Sequence, residues 1–191
     1  MQIVGISGKA RSGKTSVARW LGKERNAFQA SCADPLKEIL IGAFVGFGLS
    51  WEHFENDTLK EQALPVIGRS PRQLAQTLGT EWGRNCVNPD LWVLLLEARL
   101  KSFQVWGQLG RLIVVPDVRF ENEASWVREH GTLIHLTRPG ADGNVGIAGH
   151  SSELGISRKA GDLGLANDGT IDDLYTGLAA LFPRAVEGAD E

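Results

Sequence analysis

The stretch Gln2–Thr15, QIVGISGKARSGKT, decides how this chain is read. Its first six residues form a short apolar run with β-branched side chains. That is the pattern of a strand buried on both faces of a parallel sheet. Gly8-Lys9-Ala10-Arg11-Ser12-Gly13-Lys14-Thr15 then satisfies G-x-x-x-x-G-K-[ST] at every fixed position. Thr15–Lys23 follows with helical spacing, Val17, Ala18 and Leu21 sharing a face. Strand, glycine loop and helix in that order are what phosphate binding requires. The glycines let the loop close tightly, so that backbone N–H groups aim at phosphate oxygens. The Lys14 ammonium reaches the β- and γ-phosphates, the Thr15 hydroxyl ligates Mg²⁺, and the helix N-terminus adds favourable potential. The expected ATP contacts are therefore Gly8, Ala10, Arg11, Ser12, Gly13, Lys14, Thr15 and Ser16, with Mg²⁺ as the metal.

The rest of the chain repeats strand and helix. Phe28–Cys32 reads as a short strand, and Pro35 opens a helix to Ala43. Ser70-Pro71-Arg72-Gln73 is a capping box with proline in the first turn, so a helix is predicted to Leu78, stopped by Gly79. Asn88-Pro89-Asp90 starts a long apolar helix from Leu91. RLIVV (111–115) is the next clear strand, Asn122–His130 a helix stopped by Gly131, and Thr132–Thr137 an alternating strand. Thr170 caps a last helix, Ile171–Leu181, whose first turn carries Asp172 and Asp173 where the helix dipole favours them. The alternation predicts an α/β protein: a three-layer P-loop NTPase fold with a central parallel sheet flanked by helices on both faces. One domain is expected over 1–185, followed by an acidic tail at 186–191.

Bulk composition removes other classes. The 191 residues include 23 glycines, but no G-X-Y repeat runs through them, and hydrophobic residues reach 42%. Collagen-like and disordered chains are excluded. Formal net charge is −3, against general nucleic-acid binding. Cys32 and Cys86 form no metal-binding spacing. No run approaches a membrane span or a signal peptide, so a soluble, cytoplasmic protein is expected. Trp51 and Phe54 fit a homodimer patch as well as core.

Further candidates come from position. Asp117 follows the RLIVV strand, where ligand sites of open parallel sheets lie, and suits a metal partner. Asp34 follows the second strand in ADPLK, as a ligand contact or a cap. Phosphoryl transfer needs cations against several oxygens. Arg119, two residues from Asp117, is the best placed. Arg72 and Arg138 follow, with Arg11, Arg69, Arg84 and Arg158 behind. Trp82, read on a loop between helices, is a candidate base contact. The four histidines are read as surface or capping residues, His150 standing out in the glycine-rich segment.

At these motifs the chain resembles the phage-type deoxynucleoside monophosphate kinases. The matching pieces span nearly the whole chain: GKARSGKT (8–15), ADPLKE (33–38), RQLAQTLGTEWGR (72–84), PDLWV (89–93), DVRFENEA (117–124), HSSE (150–153) and NDGTIDDL (167–174). The resemblance implies transfer of the ATP γ-phosphate to a 5′-dNMP. Lys14, Asp117, Arg119 and Arg138 would be the catalytic set, with Thr15 and Asp117 at the metal. Asp34, Lys37, Arg72, Trp82, Asp117, Arg119 and Glu123 would contact the acceptor, and Asn167, Asp168 and Gly169 the adenine of ATP. It further implies a helical acceptor region at about 44–88 and a glycine-rich lid at about 138–160. Eight of the 23 glycines fall between Gly140 and Gly169. Only Arg138 and Arg158, beside Lys159, stand in the lid, where these kinases often carry several arginines. Two alternatives remain: a P-loop kinase for another acceptor, such as dephospho-coenzyme A or a modified base in DNA, and a non-catalytic nucleotide-binding module.

Overall fold

A computed structural model describes residues 2–105, 112–141 and 155–183. Among these residues five parallel strands form one sheet in the order β2-β3-β1-β4-β5. They are β1 (Gln2–Ser7), β2 (Phe28–Gln29), β3 (Leu112–Val115), β4 (Gly131–Thr137) and β5 (Leu163–Ala166). β1 lies at the centre, with Gly5 opposite Val115 on one side and Ser7 opposite His135 on the other. The sheet is all parallel, so each connection must cross a face, and helices supply the crossings from β1 to β2, β2 to β3 and β3 to β4.

Side chains alternate across the pleat, which sorts the core into two layers. Ile3, Ile113, Val115 and Leu133 pack with α2 (Asp34–Phe44), α5 (Leu91–Val105) and α6 (Glu121–His130). Val4, Ile6, Val114, Ile134 and Leu136 pack with α1 (Lys14–Arg25) and α7 (Ile171–Leu181). Burial on both faces explains why β1 and β3 read as continuous apolar runs rather than alternating ones.

Between α2 and α5 the chain forms a short 3-10 turn, Val45–Phe47, then α3 (Glu52–Glu55) and α4 (Pro71–Gln76). The Ser70–Gln73 capping box forms as read. The predicted stop at Gly79 does not occur. The helix widens into a π-helical segment, Thr77–Val87, that runs through Gly79 and Gly83. Those glycines serve close packing, not termination. A Cβ on Gly79 would come within 2.8 Å of Leu36, and one on Gly83 within 2.5 Å of the Trp92 ring. Trp82 therefore sits on this segment and not on a loop. Gly131 does not merely stop α6; it is the first residue of β4, paired with Ile3. Of the glycine-rich segment, residues 142–154 lie outside the described residues, and with them His150 and the HSSE motif. Trp106, Arg111 and the acidic tail also lie outside.

Candidate active site

Four strands deliver their C-terminal ends to one sheet edge. The phosphate-binding loop leaves β1 there, Pro116-Asp117 leaves β3, Arg138 leaves β4 and Asn167 leaves β5. The turn after β3 folds back over β1, since the Val118 N–H donates to the Ile6 carbonyl at 3.0 Å. That bond sets Asp117 and Arg119 beside the loop. A cleft of 440 Å³ opens at this edge, lined by Gly8, Lys14, Arg119, His135, Arg138 and Ile156 among others.

The loop is shaped for an anion. Gly13 adopts φ 105°, a left-handed conformation that glycine adopts without strain. Gly8 is held so close that a Cβ would come within 2.5 Å of the Leu136 carbonyl and 2.7 Å of Ser12 Oγ. Ser12 Oγ is buried with no hydrogen-bond partner among the described residues. α4 and α7 begin with side-chain capping boxes, whereas α1 begins at Gly13 with no side-chain cap and no acid in its first turn. The first-turn N–H groups are left for a bound anion. The loop thus fits the triphosphate of ATP. Lys14 Nζ donates to the Gly8 and Lys9 carbonyls at 2.6 and 2.9 Å, which keeps it over the loop.

Asp117 joins two cations. Its Oδ1 lies 3.6 Å from Lys14 Nζ, and its Oδ2 accepts from Arg119 Nε at 2.6 Å. Burial pushes the Asp117 carboxyl up. The charges of Arg119 and Lys14, with the Arg119 hydrogen bond, outweigh that and hold it below its ordinary value. The group is ionised near neutrality, as a metal partner must be. Lys37 adds to the same field while lying 3.7 Å from Asp34 and over the Trp51 ring. Asp34 in turn accepts from the Ser31 N–H at 2.9 Å, so it fixes the turn into α2. Trp51 is exposed, and Phe54 packs against the core.

Other expected site residues are engaged with protein groups. Glu123 is buried; its Oε2 accepts from the backbone N–H of Arg119 at 2.8 Å and of Phe120 at 3.2 Å, and its Oε1 from Arg84 at 2.5 Å. Burial pushes its carboxyl up against the pull of Arg84. Arg72 Nε pairs with Glu61 at 2.6 Å at the start of α4, and it does not line the cleft. Trp82 is 47% exposed. Asn167 supports the loop from below, donating from Nδ2 to the Ser12 carbonyl at 2.8 Å. Gly169 makes room for Asp173, which caps α7. Arg138 is exposed at the cleft rim.

One cluster has no counterpart in the sequence reading. Asp162, just before β5, accepts from Arg128 of α6 (2.8 and 2.9 Å), from the Lys159 N–H (2.8 Å), and bonds His135 Nε2 on β4 (2.9 Å). Nothing in residue spacing signals it, because the three side chains meet only once β4 and β5 pair.

Comparison with known proteins bears on this site. The deoxynucleotide monophosphate kinase family matches residues 51–178. An Acanthamoeba polyphaga mimivirus protein, assigned provisionally as a deoxynucleotide monophosphate kinase, is 30% identical over 196 residues, covering 97% of this chain and 98% of its own. The deoxynucleotide monophosphate kinase of Enterobacteria phage T4 is 24% identical over 237 residues, covering 92% and 96%. The deoxynucleoside-5′-monophosphate kinase of Escherichia phage T5 is 30% identical over 133 residues, 62% of this chain and 51% of that protein.

Proposed function

This chain belongs to the deoxynucleotide monophosphate kinase family, and from that premise we propose that it transfers the γ-phosphate of ATP to a 5′-deoxynucleoside monophosphate, giving ADP and the diphosphate. The observation that carries this reading is the Lys14–Asp117–Arg119 array. A protein that only holds a nucleotide needs the loop and its lysine. A second cation lining the same cleft, tied to the first through one carboxylate, suits a second phosphate.

The chemistry asks little covalent work of the protein. The attacking atom is an acceptor phosphate oxygen, largely ionised at pH 7, so no strong base is required. Loop N–H groups and Lys14 orient the donor phosphates. Arg119 stands where the acceptor phosphate and the transferred group carry their negative charge, and Arg138 offers a further cation from the rim. Asp117 keeps Arg119 and Lys14 in fixed relation. The Thr15 hydroxyl and Asp117 would hold Mg²⁺, which would supply further charge neutralisation at the donor phosphates. Asp34, Lys37, Arg72 and Trp82 form the acceptor side. Closure of the cleft during turnover would exclude water, because an open site would spend ATP on hydrolysis. Among the described residues no helix is long and apolar enough to cross a membrane; the likeness to phage kinases supports a reaction in the cytoplasm of an infected or bacterial cell.

The test is ADP release from Mg-ATP against a panel of dNMPs, NMPs and dephospho-coenzyme A. Stimulation by one or more dNMPs is expected. Stimulation by dephospho-coenzyme A alone would move the chain to another acceptor. No stimulation by any of them would reduce it to a nucleotide-binding module.

A further inference from the structure

The phosphoryl-transfer reading leaves one buried cation without a task. Arg84 lies on the π-helical segment, far in sequence from the phosphate-binding loop, and is 8% exposed. Its guanidinium is fully engaged on one side of the molecule. One terminal nitrogen donates to the Pro89 carbonyl at 2.9 Å and to Asn122 Oδ1 at 3.1 Å, the other to Glu123 Oε1 at 2.5 Å, and the group stacks 3.7 Å from the centre of the Phe120 ring. All four contacts hold the start of α6 or Pro89, two residues before α5.

The contacts continue in one direction. Glu123 passes from Arg84 to the backbone N–H groups of Arg119 and Phe120. Arg119 passes to Asp117, and Asp117 to Lys14. At the other end the segment that carries Arg84 is clamped to α5, since Trp92 Nε1 donates to the Gly79 carbonyl at 2.7 Å and Gly83 leaves no room beside the Trp92 ring. An unbroken series of polar contacts therefore joins the π-helical segment to the phosphate-binding lysine.

A buried ion pair is a poor way to gain stability, because desolvating both charges offsets most of their attraction. It is a good way to fix a geometry, since a forked, planar guanidinium accepts few arrangements of its partners. We propose that Arg84 is a positioning residue. By holding Glu123 against the Arg119 backbone, it sets the Asp117–Arg119 turn over the loop and couples the acceptor-side helical segment to phosphoryl transfer. This rests on the dNMP kinase reading, and the wild-type assay establishes that reading independently.

The experiment measures kcat and both KM values for wild type, R84K, R119A and R84K/R119A, with thermal melting to show that each is folded. R84K keeps the charge and loses the fork and the stacking. Misplacing a catalytic cation slightly costs on the order of ten- to a hundredfold in kcat, and that loss is expected with ATP KM changed less than about twofold. In the R119A background the same substitution should cost less than about twofold, because its effect runs through Arg119. Wild-type kcat in R84K would overturn the proposal. So would an equal loss in both backgrounds, which would mark a merely structural role. If R84K fails to fold, N122A removes one partner of the same guanidinium. It should show the same kcat-selective loss, smaller in size, and wild-type kcat in N122A would equally overturn it.

Discussion

Arg11 shows how much a single residue in this loop reveals. It stands at φ 62°, where a side chain costs roughly 1–2 kcal/mol. It is exposed, and it does not line the cleft with its neighbours Ala10 and Ser12. Its charge also reaches Asp57. The Asp57 carboxyl is held below its ordinary value first by its Lys60 hydrogen bond and charge, then by Arg11 and Arg72. Arg11→Gly relieves the backbone cost while loosening the unfolded chain by about 0.4–1 kcal/mol. The relief is the larger, so the variant should be as stable as wild type or up to about 1.5 kcal/mol more stable. If Arg11 is the ATP contact the loop motif implies, kinetics should then show the ATP KM rising more than the acceptor KM; a selective rise in acceptor KM would move Arg11 to the acceptor instead. Lys14, by contrast, was legible from the motif alone, because the loop chemistry is local in sequence. Lys14→Ala should cost at least about a hundredfold in turnover with little change in melting. The task of Glu123 was not legible. The resemblance implied an acceptor contact, but its oxygens are engaged by Arg84 and by the backbone N–H groups of Arg119 and Phe120, partners that only the fold brings to it.

Elements carry the second kind of information. The capping box at Ser70, the cap at Thr170 and the parallel strands of apolar composition were readable, since each depends on neighbours within one turn or one strand. The π-helical segment was not, because glycine reads as a stop until α2 and α5 are seen against it. Gly131 makes the same point at a strand start. A Cβ there would come within 1.9 Å of the Ile3 carbonyl, a backbone atom in the β1–β4 pairing that cannot yield. Gly131→Ala should cost more than about 4 kcal/mol and give little folded protein; recovery of a normally melting variant would refute the packing account. The Asp162 cluster ties β4, β5 and α6 together and makes stability pH-dependent. Its carboxyl is held far below the usual range, chiefly by the Arg128 hydrogen bond, against burial. The folded pKa is depressed, so this stabilisation is complete above the unfolded value near pH 4 and is lost as pH falls further. Asp162→Asn should lower stability by about 3 kcal/mol at neutral pH and flatten the decline below about pH 4. An unchanged acid limb in Asp162→Asn would show that other carboxylates govern it.

The whole molecule turns on where the strands end. Parallel order, with β1 between β3 and β4, brings the phosphate-binding loop, the Asp117–Arg119 turn and the root of the 138–160 segment to one edge. That order could be anticipated as a class from alternating strands and helices, but not the particular contacts across the edge, which depend on register. On the proposed function, this edge moves a phosphoryl group between two nucleotides and does not merely bind or hydrolyse one. The direct measurement follows the label from γ-labelled ATP in a single turnover with Mg²⁺ and a 5′-dNMP, comparing wild type with Arg119→Ala. Label should appear in the deoxynucleoside diphosphate, and Arg119→Ala should slow its appearance by at least about tenfold while ATP still binds. Label found only as inorganic phosphate, or transfer by Arg119→Ala at the wild-type rate, would contradict the account.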